Sequence, residues 1–182
     1  MDLSSTDRKT FEEIKKIAKR VFNLNYSHHT YEDYLLSIIF RDTKQVMIVE
    51  CDVKIVLDTA YRSIALMGRL PQPVPQSKVS DLYEAINEVN YKVSRIKVLL
   101  QNPDRKVEIR AELELFQDAF SPHNFEMVLG RFLITGSILL QLIDRYVKGQ
   151  AEKDEILQGI DALNNFQSQN RQGGPGDFPY PS

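Results

Sequence analysis

The residues of this chain whose types could do chemistry are few and scattered. It has three histidines and one cysteine. His28 and His29 are adjacent, so a strand would point them to opposite sides. A zinc site needs three or four convergent ligands, and only Glu32 and Asp33 lie near that pair in sequence. His123 falls in the first turn of an expected helix, where imidazolium is disfavoured. Cys51 reads as a small core residue on the inward side of a strand; a reactive thiol needs exposure and a cationic neighbour. Glu108, Glu112 and Glu114 share one strand face. As an acid/base set they would need a cleft and displaced pKa values, so a solvated face is the expectation. Gly173-Gly174-Pro175-Gly176 neither follows a strand nor opens a helix, which a phosphate loop requires. No catalytic, metal-ligating or cofactor-binding set emerges, and the chain is expected not to be an enzyme.

Composition narrows the classes further. The 182 residues suit one domain, with 42% hydrophobic and 26% charged residues. A formal net charge of -2 gives no reason to expect nucleic acid, which calls for a strong basic stripe. A single thiol cannot form an internal disulfide, so a reducing compartment is expected. The start, Met1-Asp2-Leu3-Ser4-Ser5, has no basic-then-apolar leader. The apolar stretch 132–143 is shorter than the roughly 20 residues that span a bilayer. A cytoplasmic protein with no membrane span is expected.

The elements that would position these residues follow from apolar spacing. Phe11, Ile14, Ile17, Ala18, Val21 and Phe22 form one helical stripe after Asp7. Lys15, Lys16, Lys19 and Arg20 read as its solvated side. Three strands should follow: 34–40, 46–57 and 61–67. Their short polar joints argue for an antiparallel meander. Thr30 and Asp33 leave the preceding segment open to a short helix cap. Three prolines, Pro71, Pro73 and Pro75, are expected to end the sheet run. Ser77 would cap a second helix striped by Val79, Leu82, Ile86 and Val89.

A hairpin comes next. Ile96, Val98 and Leu100 lead into the turn Asn102-Pro103-Asp104, and Val107, Ile109, Ala111, Leu113 and Leu115 lead out. Its acidic outer face is expected to pair with Arg95 and Lys97. Ser121-Pro122 starts a long helix that Gly149 should end. The fold class is therefore α+β: an antiparallel five-stranded sheet in the order α-βββ-α-ββ-α, plus a short C-terminal helix. Residues 1–149 would form the domain, 150–166 an accessory helix striped by Ile156, Leu157, Ile160 and Leu163, and 167–182 a disordered tail. The end, Phe178-Pro179-Tyr180-Pro181-Ser182, fits either a docking motif or a frayed terminus.

One pattern does not fit a sheet with one wet face. Leu35, Ile39, Ile48, Val56 and Leu99 fall opposite the core set, which suggests a partner-binding surface. A misjudged register would produce the same pattern.

The element order, the run Leu66-Met67-Gly68-Arg69-Leu70-Pro71 at a strand's exit, the helix Leu82-Tyr83-Glu84-Ala85-Ile86-Asn87 and the hairpin closed by a long helix together resemble the class I type III secretion chaperone fold and the YbjN-like proteins that share it. The resemblance covers residues 11–148. It implies a small homodimer without catalytic residues that holds a stretch of a client polypeptide on apolar surface, or a YbjN-like regulator. The mild acidity and the additional helix after Lys148 point to the YbjN-like branch or an uncharacterised relative. Two other classes stay open: an enzyme with a scattered site, and a structural subunit docked through its tail.

Overall fold

The computed structural model describes residues 4–21, 27–31, 35–40, 51–115 and 120–171. Chain order is α1 (Ser5–Val21), β1 (Ser27–Tyr31), β2 (Leu35–Phe40), β3 (Cys51–Asp58), β4 (Ser63–Pro73), a 3-10 turn (Gln76–Lys78), α2 (Val79–Lys92), β5 (Lys97–Gln101), β6 (Lys106–Glu114), α3 (Pro122–Val147) and α4 (Lys153–Arg171). The class is α+β, with antiparallel pairing throughout. The sheet has six strands rather than five, in the order β1-β2-β3-β4-β6-β5. The extra strand is β1. Its Ser-His-His-Thr-Tyr sequence has no apolar alternation, yet Thr30 pairs with Leu36 and His28 with Ile38. Backbone pairing to β2 places it where side-chain pattern could not.

β4 also continues beyond the point where its prolines were expected to stop it. Its pairing with β6 shifts register after Arg69 and resumes at Pro73↔Lys106. Pro71 thus falls within the β4–β6 irregularity, where a missing N–H is tolerated. The second helix starts one residue later than expected. Ser77 lies inside the 3-10 turn, and Lys78 takes the cap position without a side-chain hydrogen bond of that kind. The Lys78 ammonium instead donates to the Tyr146 and Val147 carbonyls at the end of α3 and sits over the Tyr146 ring.

The helices cover one face of the sheet. Val53, Ile55 and Leu57 of β3, Ile64 and Leu66 of β4, Val98 of β5, and Val107 and Ile109 of β6 are all buried there. α3 crosses this face at very close range. A Cβ on Gly68 would stand 3.3 Å from Phe132 Cζ, and one on Gly136 would collide with Ile109. Ser121 accepts from the Asn124 N–H and Pro122 opens α3, as expected. Gly149, at φ +73°, ends it. By length and composition the 26 residues of α3 are long and apolar enough to cross a membrane, which the run 132–143 alone is not. Half of its most apolar window is buried against the rest of the fold, and its neighbours are β4, β6, α1 and α4.

α1 and α4 are pinned by charge as well as by apolar contact. Ser4 Oγ accepts from the Asp7 N–H, so Asp7 lies in the first turn rather than before the helix. The Asp7 carboxylate takes Arg62 of the β3–β4 turn at 3.0 Å, and Arg20 reaches Glu126 of α3 at 2.8 Å. α4 packs Ile156, Ile160 and Leu163 inward. Lys92 of α2 bonds Asp161 at 2.9 Å, and Lys153 bonds Glu84 at 2.9 Å. Hydrogen bonding to these carboxylates raises both lysines above their ordinary pKa. The helix runs to Arg171, five residues into the stretch expected to be disordered (167–171). Gln167 and Arg171 are good helix formers, and no glycine or proline intervenes before Gly173.

Candidate binding face of the sheet

Strand alternation gives the sheet a second face, and the registers say what stands on it. One line across the strands runs Leu35, Val56, Ala65, Glu112. The next runs Ser37, Lys54, Met67, Arg110, Lys97. A third runs Ile39, Asp52, Arg69, Glu108, Leu99. Among the described residues no helix covers this face. Lys97, Arg110 and Glu112 are exposed on it, and Val56, Met67 and Leu99 are half-buried.

Four of the five residues expected to bind a partner therefore share a face by register. Leu35 is the cross-strand partner of Val56. Ile39 and Leu99 stand at opposite ends of one line, four strands apart, or about 19 Å. Ile48 lies outside the described residues. The set does not make one continuous apolar patch: Lys54, Arg69 and Arg110 stand between its members, with Met67 in the middle.

The charges do not pair as the sequence suggests. Buried Val98 faces buried Ile109, and Leu100 faces Val107. That register sets Lys97 opposite Arg110, not opposite a glutamate. Glu108 is not solvated either. It is 4% exposed and bonds Arg69 of β4 at 2.8 Å. Glu112 accepts from Ser63 Oγ at 2.9 Å. Arg95, Lys97, Leu99, Arg110 and Glu112 line a shallow open depression of about 480 Å³. It is the part of the face that apolar pattern alone passes over. The signal was present in the hairpin: aligning Leu100 with Val107 across the turn forces Arg110 onto Lys97.

The outer margin of β5 is occupied by a side chain. Asn90 Oδ1 accepts from the Val98 N–H at 2.7 Å, and Asn90 Nδ2 donates to the Val98 carbonyl at 2.8 Å. The amide stands where a neighbouring strand would.

The residues considered for catalysis are not brought together. His29 faces Ser37 in the sheet, and His123 is exposed at the start of α3. The backbone of Cys51 pairs with Phe40. The glycines at 173–176 lie outside the described residues. Among the described residues no group of three histidine, cysteine or carboxylate side chains is arranged to hold a metal.

No protein-family model matches the chain, and no curated protein matches it. Among solved structures it is similar to YbjN from E. coli, at 15% identity and a TM-score of 0.42, over 68% of this chain and 90% of that one. It is also similar to the structure of the ExsC–ExsE complex, at 16% identity and a TM-score of 0.46, over 75% of this chain and 92% of that one.

Proposed function

We propose that the chain is a non-enzymatic protein-binding module, acting as a cytoplasmic homodimer, that holds an extended stretch of a partner polypeptide on the open face of its sheet. The observation that carries this reading is the face itself. Val56, Met67 and Leu99 stand half-buried on a surface left uncovered by every described helix. Apolar area on such a surface supplies affinity when a partner covers it, and the charges around it fix orientation.

The test is binding of a permanently unfolded, fluorescently labelled polypeptide to the full chain, read as anisotropy. Val56→Lys combined with Leu99→Lys is expected to weaken binding by roughly tenfold or more, about 1.4 kcal/mol. Equal binding by wild type and variant would remove the face from the function. Light scattering tests the homodimer: a mass of one chain at working concentration would remove that part of the reading.

A further inference from the structure

We infer that the partner segment is acidic: the β5–β6 end of the open face is built to take carboxylates. This rests on the reading that the face binds polypeptide, and adds the chemistry of what is bound. Arg95, Lys97 and Arg110 converge on one shallow depression whose floor includes Leu99. Lys97 and Arg110 are direct cross-strand partners. Like charges placed so are destabilising in a sheet, and here the register cannot relax, because buried Val98 and Ile109 fix it. Among the described residues neither Arg95 nor Arg110 has a carboxylate partner, and the Lys97 ammonium reaches only the Asn90 carbonyl, at 3.1 Å.

The nearby acids have other hydrogen-bond partners, and Glu112 itself lines the depression. Glu108 is held by Arg69, and Glu112 is engaged with Ser63. Arg95 stands in the bend before β5 at φ +68°, as Arg62 and Arg105 stand in theirs. A negatively charged ligand offsets the juxtaposition of Lys97 and Arg110.

Chain chemistry selects the occupant. Alternate residues of an extended segment project to the same side about 6.6 Å apart, so carboxylates two residues apart can reach neighbouring cations. Guanidinium groups bind carboxylates with two parallel hydrogen bonds. Leu99 and Met67 take the apolar side chains between them. A nucleic-acid strand fits less well. Three cations make a short track, where a phosphate backbone calls for a long basic stripe.

The experiment is selection of short random peptides displayed on phage against the full chain, against Arg110→Glu and against Leu99→Ser, followed by anisotropy of the selected peptides. Wild type is expected to enrich sequences with aspartate or glutamate at alternate positions among apolar residues. Their affinity should fall by roughly tenfold when salt is raised from about 50 to about 200 mM. Arg110→Glu should lose the acidic bias, and replacing the peptide's glutamates by glutamine should cost roughly tenfold on wild type only. Apolar peptides without acidic bias, lost in Leu99→Ser, would overturn this inference and leave the binding face standing. No enrichment on wild type would overturn both. Displacement of a selected peptide by a short oligothymidylate at equal concentration would assign the cations to phosphate and overturn it as well.

Discussion

The two faces of this sheet are made by the same strands and obey opposite rules. On the helix side, Val53, Ile55, Ile64, Leu66, Val98, Val107 and Ile109 are nearly or wholly buried, and a Cβ added at Gly68 or Gly136 would press on Ile109. On the other side, one residue along, Lys54, Val56, Met67, Lys97, Leu99 and Arg110 are half-buried or exposed, and two cations oppose each other. The covered face sets the register, and the open face inherits whatever that register delivers. A charge arrangement that folding alone would discard can therefore persist on the open face, because the core opposite holds the strands in place.

The contrast can be broken most strongly from the covered side. Phe132 is fully buried over Gly68. Phe132→Ala is expected to lower unfolding free energy by about 3–5 kcal/mol, measured by urea denaturation, since it removes a large core side chain and leaves a cavity. A loss below about 1 kcal/mol would mean that α3 does not pack as described. At the margin between the faces, Asn90→Ala deletes two hydrogen bonds to the Val98 backbone. It should cost about 1–3 kcal/mol and speed amide exchange in β5, read by hydrogen exchange. On the open face the sign should reverse. Lys97→Glu places an opposite charge across from Arg110, and is expected to leave stability unchanged or raise it by about 0.2–1 kcal/mol. The same change should abolish the preference for acidic peptides. Destabilisation by Lys97→Glu would show that the two cations support the fold.

What could be read in advance follows the same division. Ser121-Pro122, Gly149 and the alternation of Val107, Ile109 and Ala111 are local signals, and each marks the element it belongs to. The burial of Glu108 is not local. It depends on Arg69, which reaches it through the β4–β6 pairing of strands separated by a helix and a further strand. The partners of α4 are not local either: Lys92–Asp161 and Lys153–Glu84 join elements far apart in sequence. β1 gives no side-chain signal because its partner recognises backbone. Of the candidate surface, the half-buried Val56 and Leu99 stand on one side by alternation alone. The cations beside Leu99 required the hairpin register as well.

The amide of Asn90 has a consequence for how such a molecule stays a discrete body. A sheet with an open border can recruit the same border of another copy and grow into a ribbon. Here the border at Val98 is closed from within by one side chain of the preceding helix, in sequence only eight residues away. Strand addition to β5 at Val98 meets an occupied position.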